Sequence, residues 1–132
     1  MASLHTAYIS IGSNLGDKLA NCRRGVEALI SGGEVRITGQ SRIYATEPVD
    51  FTEQDWFINS VIRIETRLEP FDLLERMQAI QRQAGRSEET ARFGPRVLDL
   101  DLLLYDQLIL DDPQLSLPHP RMHYRRFVLK PL

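Results

Sequence analysis

Two aspartates separated by a single residue, Asp99 and Asp101, stand in the run Val97-Leu98-Asp99-Leu100-Asp101-Leu102-Leu103-Leu104. Its even positions from 98 to 104 are all leucine, so in a strand they face a core while both carboxylates point the other way. Like charges that close repel one another unless a cation lies beside them. A hard, oxygen-seeking ion such as Mg²⁺ suits the pair, because it takes one or two carboxylates and fills its shell with water and substrate phosphate. Aspartate is a poor strand residue, and breaking that preference twice within three positions points to function. The alternative is a pair of solvated aspartates on an exposed strand face.

The neighbourhood carries complementary charge. Arg86, Arg92 and Arg96 punctuate residues 86–96, a stretch beside Gly85 that contains Gly94 and Pro95 and reads as a mobile loop. Guanidinium groups there could clamp a polyphosphate and balance charge developing in a transition state. Each taken singly also fits a solvated surface residue, paired with Glu88 or Glu89. His119, between Pro118 and Pro120, is held in a rigid turn and could offer a ring nitrogen to a phosphate or base, or be an ordinary turn histidine. Gly12-Ser13-Asn14-Leu15-Gly16-Asp17 joins a strand to a helix in the manner of a phosphate loop but lacks the lysine-serine ending of a Walker motif. Phe57, Asn59 and Phe93 combine an amide with aromatics, as reading the edge and faces of a flat heterocycle requires; aromatic residues are equally core formers.

The elements that position these residues follow from period. Ala7, Ile9 and Ile11 alternate with polar neighbours in a first strand ending at Gly12-Ser13-Asn14. Leu15, Leu19, Cys22, Val26 and Leu29 form the stripe of a helix stopped by Gly32-Gly33. Val35, Ile37 and Ile43-Tyr44 suggest one second strand interrupted at Gly39. After the turn-rich residues 48–55, Ile58, Ser60, Ile62 and Ile64 face one way and Phe57, Asn59, Val61 and Arg63 the other. Pro70 opens a second helix with a stripe of Leu73, Leu74, Met77, Ile80 and Ala84, closed by Gly85. A fourth strand spans 97–105. The order β-α-β-β-α-β predicts an α+β, ferredoxin-like core, a mainly antiparallel sheet with both helices on one face. A short strand near 115–117 and a helical turn after Pro120 make a C-terminal addition.

At 132 residues, with neither repeat nor linker, the chain reads as a single domain, 1–132. A formal charge of −2 provides no global basic field for nucleic acid or anionic membranes, so any phosphate binding is local. The lone Cys22 cannot form an internal disulfide, and no stretch approaches the roughly 20 apolar residues that span a bilayer. The opening residues lack the regions of a signal peptide, so a cytoplasmic setting is expected.

The ordered set Gly12-Ser13-Asn14-Leu15-Gly16, Tyr44-Ala45-Thr46-Glu47-Pro48-Val49, Phe57-Ile58-Asn59, Arg92-Phe93-Gly94-Pro95-Arg96 with Asp99 and Asp101, Leu117-Pro118-His119-Pro120 and Arg125-Arg126-Phe127 resembles the 6-hydroxymethyl-7,8-dihydropterin pyrophosphokinases of folate biosynthesis almost end to end. The resemblance implies a ferredoxin-like fold and transfer of the pyrophosphoryl group of ATP to the pterin hydroxymethyl oxygen, releasing AMP. It implies that Asp99 and Asp101 hold two Mg²⁺ ions and that the loop arginines Arg86 and Arg96 assist the transfer. Gln78, Arg92, Ser116, His119 and Arg125 would touch ATP, and Thr46, Pro48, Val49, Phe57, Asn59, Phe93 and Phe127 would line the pterin pocket. Residues 48–55 and 86–96 would be lids excluding water. The implied partners are the two small-molecule substrates, with no nucleic acid or membrane, acting on a monomer.

The chain departs from the family where members often carry tryptophan at Phe93, glutamate at Gln81 and an aromatic at Pro120. Members also usually continue past the position of Leu132, so their C-terminal tail is expected to be missing. Two rival readings share the scaffold. A ferredoxin-like RNA-binding module needs stacked aromatics and a basic face, against the single Tyr8 on the first strand and the acidic balance. A Mg²⁺-dependent phosphoryl or nucleotidyl transferase with another acceptor is separated only by the pterin-pocket residues.

Overall fold

The structure, a computed structural model, describes residues 3–46, 56–85 and 97–119. Along the chain run β1 (His5–Ser13), α1 (Lys18–Ile30), β2 (Val35–Gln40), β3 (Tyr44–Thr46), β4 (Phe57–Thr66), α2 (Pro70–Gln83), β5 (Asp99–Tyr105), β6 (Leu110–Asp111) and β7 (Ser116–Leu117). The architecture is α+β. One antiparallel sheet has the order β2-β4-β1-β5, with β3 also paired to β4, and β6 and β7 form a separate small hairpin.

Alternation decides which face is covered. Ala7, Ile9 and Ile11 from β1, Ile62 and Ile64 from β4, and Leu100 and Leu102 from β5 are buried together with Leu29 of α1 and Leu73, Met77 and Ile80 of α2. Each fully buried aliphatic side chain stabilises the fold by about 1.5–3 kcal/mol, which is what holds both helices on this one face. The apolar and polar faces of β4 are those its sequence period predicts. Asp17 caps α1, its carboxylate accepting from the Ala20 N–H at 3.2 Å, and Pro70 occupies the first turn of α2. Both helices stop where glycines take left-handed backbone, Gly32 (φ 90°) and Gly33 (φ 79°) after α1 and Gly85 (φ 115°) after α2.

Three expectations are corrected. The single interrupted second strand is two strands. At Ser41 the side-chain hydroxyl accepts from the Val61 N–H while its own N–H donates to the Val61 carbonyl, both at 2.8 Å, so a side chain takes over the ladder between β2 and β3. The predicted stripe of α1 is wrong at its start: Leu15 precedes the helix, and both it and Leu19 are exposed. The rest of the stripe holds, with Leu29 buried and Cys22 and Val26 packed against the core, and the helix also buries Asn21 and Gly25. Gly25 is needed there, because a Cβ on it would lie 2.8 Å from Leu98 Cδ1, immediately before the first aspartate. In β5 the even-leucine alternation fails at Leu104. A bulge opposite Tyr8 and Ile9 puts Leu103 and Leu104 with Tyr8 and Val61 on the other face and returns Tyr105 to the core.

The expected strand near 115–117 is β7; the helical turn after Pro120 lies outside the described residues. Among the described residues no helix is long and apolar enough to cross a membrane.

Candidate active site on the helix-free face of the sheet

The sheet register brings the candidate residues into rows on the face away from the helices. Gly12 of β1 pairs with Asn59 of β4 on one side and Asp99 of β5 on the other, and Tyr44 of β3 extends the row beyond Asn59. Two residues earlier, Ser10 lies between Val61 and Asp101. The strand period therefore aims Asn59, Asp99 and Asp101 the same way.

Gly12 gives this surface its shape. A Cβ at this position would stand 2.6 Å from Asn59 Oδ1 and 3.5 Å from Phe57 Cδ1. The Asn59 amide and the Phe57 ring thus lean over a bare stretch of β1, and Asn59 is buried at 5% exposure despite its polarity. An amide beside an aromatic edge, on a floor without a side chain, suits a flat polar ring.

The carboxylates lie on the last strand of the sheet, since among the described residues β5 has a strand neighbour only in β1 within that sheet. Both are half-buried. The segment after β7 returns to this strand: the His119 N–H donates to the Leu103 carbonyl at 2.9 Å, and His119 Nε2 lies 3.8 Å from Asp101 Oδ1. His119 therefore belongs to the carboxylate group. Ser116, in β7, pairs with Asp111 of β6 in the hairpin leading to that turn. Gln78 is exposed on α2 one turn before Gln81, whose side chain reaches β5.

Two carboxylates at i and i+2 on a fixed strand match the donor set of a Mg²⁺ ion that takes its other oxygens from water and phosphate. Among the described residues there is no cluster of three or more acidic, histidine or cysteine side chains that would cage a metal. The single cysteine offers no competing nucleophile: burial pushes the Cys22 thiol up to about 11, so it stays protonated near neutral pH.

The resemblance to a phosphate loop at 12–17 does not survive. Gly12 and Ser13 are strand residues, and the helix N-terminus that would receive a phosphate already holds the Asp17 carboxylate. Asn21 Nδ2 donates to the Leu15 carbonyl at 2.8 Å, closing the loop on itself. Of the expected pterin residues, Phe57 and Asn59 are brought together, and the Thr46 backbone pairs with Phe57. Pro48, Val49, Phe93 and Phe127 lie outside the described residues, as do Arg86, Arg92, Arg96 and Arg125. Two residues have roles other than those their sequence suggested. Gly12, part of the expected phosphate loop, is the floor of the candidate site, and its isolation within an alternating strand was the signal. Gln81, noted as a departure from a glutamate of the family's nucleotide site, is buried and bonded to β5.

The chain matches the family model described as 7,8-dihydro-6-hydroxymethylpterin-pyrophosphokinase over residues 8–132. It is 45% identical over 126 residues to the 2-amino-4-hydroxy-6-hydroxymethyldihydropteridine pyrophosphokinase of Bacillus subtilis (strain 168), covering 96% of this chain and 75% of that protein. Identity to the protein of the same name from Methylorubrum extorquens is 43% over 126 residues, covering 96% of this chain and 79% of that protein. Among solved structures, the crystal structure of Plasmodium falciparum HPPK-DHPS with pteroate superposes with a TM-score of 0.72 at 13% identity, covering 98% of this chain and 38% of that one, a likeness of fold.

Proposed function

Because the chain belongs to the 7,8-dihydro-6-hydroxymethylpterin-pyrophosphokinase family, we propose that its helix-free sheet face transfers the pyrophosphoryl group of ATP to the hydroxymethyl oxygen of 6-hydroxymethyl-7,8-dihydropterin, a step of folate biosynthesis. The observation that carries this reading is the row Asn59–Gly12–Asp99, which puts a slot for a flat ring beside a carboxylate pair on β5.

The pterin lies over Gly12, its edge hydrogen-bonded by the Asn59 amide and one face against Phe57. Thr46, Pro48, Val49, Phe93 and Phe127 complete the pocket. This orientation points the hydroxymethyl group toward Asp99 and Asp101. The polyphosphate of ATP occupies the strip between those aspartates and His119, with Gln78, Ser116, Arg92 and Arg125 on the nucleotide. The alcohol oxygen bonds to the β-phosphorus and gives up its proton, the bond from that phosphorus to the α,β-bridging oxygen breaks, AMP carries that oxygen away, and the proton is released with the products. Asp99 and Asp101 would hold two Mg²⁺ ions, which when bound offset the phosphate charge and align donor with acceptor. Arg86 and Arg96 balance the charge that grows on the leaving phosphate, and lids 48–55 and 86–96 keep water out. Such a transfer demands positioning and charge balance more than covalent help, so no protein nucleophile takes part.

The strand order β2-β4-β1-β5 with crossovers through α1 and α2 supports a ferredoxin-like core acting as one domain, 1–132. The setting proposed for it is a cytoplasmic monomer. The test is Asp101→Ala, assayed by AMP release with ATP, Mg²⁺ and the pterin. Activity falls by more than about 10²-fold, beyond what loss of an outer partner of a metal ligand costs. The melting temperature stays near that of the wild type, because Asp101 lies outside the apolar core. Retained turnover in a folded Asp101→Ala protein refutes the metal role.

A further inference from the structure

Among the described residues β5 is the last strand of the main sheet, so the partners of backbone N–H groups on its outer side are sought among side chains and loops. At Leu100, the residue between the two aspartates, the partner is a side chain. The Leu100 N–H donates to Gln81 Oε1 at 3.3 Å, a long bond between buried groups. Gln81 Nε2 in turn donates to the Met77 carbonyl one helical turn back, at 3.2 Å. The amide is therefore engaged at both ends, its carbonyl aimed at β5 and its NH₂ at the helix. It lies at 4% exposure beneath α2.

Leu100 is fixed on its remaining sides as well. Its side chain is in the core and β1 pairs it with Ile11. The bond from Gln81 completes the restraint on the peptide from which Asp99 and Asp101 project in the direction opposite to the Leu100 side chain. We propose that Gln81 is a positioning residue for the carboxylate pair: by holding the Leu100 N–H, it sets the separation and aim of Asp99 and Asp101 and so the affinity of the site for a divalent cation bound with nucleotide. This rests on the assignment of Asp99 and Asp101 as metal ligands. The Gln81 amide bonds to Leu100 and Met77 and is buried beneath α2. It acts through the strand, in the way that partners behind metal-binding side chains tune them.

Two substitutions separate positioning from stability. Gln81→Met has similar volume and no acceptor of comparable strength, so it fills the space but releases the Leu100 N–H. Gln81→Glu keeps an oxygen for that N–H. The probe is Mn²⁺ titrated into the wild type and each variant with a non-hydrolysable ATP analogue, read as free Mn²⁺ by electron paramagnetic resonance. Amide exchange at Leu100 and melting temperature are followed alongside, together with AMP release in Mg²⁺.

Gln81→Met is expected to bind Mn²⁺ more weakly by about tenfold or more, the range seen when such outer partners are lost. It should also need more Mg²⁺ for half-maximal turnover and lose exchange protection at Leu100 while remaining folded. Gln81→Glu restores the protection and most of the affinity. A Gln81→Met protein that melts lower yet binds Mn²⁺ like the wild type overturns the proposal and leaves Gln81 a packing residue. Gln81→Glu as defective in Mn²⁺ binding as Gln81→Met also overturns it. Wild-type protein that binds no Mn²⁺ with the analogue and releases no AMP overturns the metal-site assignment itself, and this proposal with it.

Discussion

At Gly12 the want of a side chain shapes the candidate site. The space a side chain would need there is already taken by Asn59 Oδ1, 2.6 Å from where a Cβ would stand, and the Phe57 ring closes in at 3.5 Å. Gly12→Ala is therefore predicted to push the Asn59 amide aside and slow turnover at low pterin by on the order of 10²-fold, the scale expected when a binding group is displaced by about 1 Å. The effect should vanish in an Asn59→Ala background, where no amide remains to be displaced; steady-state kinetics of the four-member cycle measures this coupling. Equal losses from Gly12→Ala with and without Asn59 would show that the glycine serves only the strand. The aspartates were legible as a pair because their type and spacing are visible in a single strand. The role of Gly12 was not, because it depends on which residue of β4 lies opposite.

Among the elements, β5 carries the most responsibility, and its two ends are held differently. At the start, Gln81 and the close approach of α1 at Gly25 to Leu98 fix the run leading into the aspartates. At the far end, Asp106 ties β5 back to the beginning of β1, accepting from the Thr6 N–H at 2.8 Å and meeting His5 Nδ1 at 2.7 Å. Burial alone would raise the Asp106 carboxyl, but the bonds from Thr6 and His5 outweigh it and hold the group below the usual carboxylate range. A carboxyl depressed in the folded state contributes stability that is present above its unfolded pKa and is lost as pH falls through the folded one. The stability gap between wild type and Asp106→Asn, measured by urea unfolding, should thus be fully present near pH 5 and shrink below about pH 4. A gap independent of pH would show that the charge does not matter. Period alone located these elements, but it could not foresee the bulge that sends Leu104 to the site face. Nor could it see that α1 buries Asn21 and exposes Leu19, since both follow from contacts between elements distant in sequence.

For the molecule as a whole, the division of labour is between two faces of one sheet. The helices and the alternate apolar residues of β1, β4 and β5 make a core, and amide, aromatic ring and carboxylates meet on the face away from the helices. The fold class was readable because hydrophobic period is a local property repeated along the chain. The expectation of a metal rested on two residues, whereas that of the pterin rested on the resemblance of the ordered motifs, which the family match over residues 8–132 supports. The central claim is that this face moves two phosphates together. It is tested most directly by supplying ATP labelled at the β-phosphorus, with Mg²⁺ and 6-hydroxymethyl-7,8-dihydropterin, and following the label. The predicted result is label in a pyrophosphorylated pterin, with one AMP formed for each product molecule. Label retained in ADP, or ATP consumed just as fast without the pterin, would contradict it.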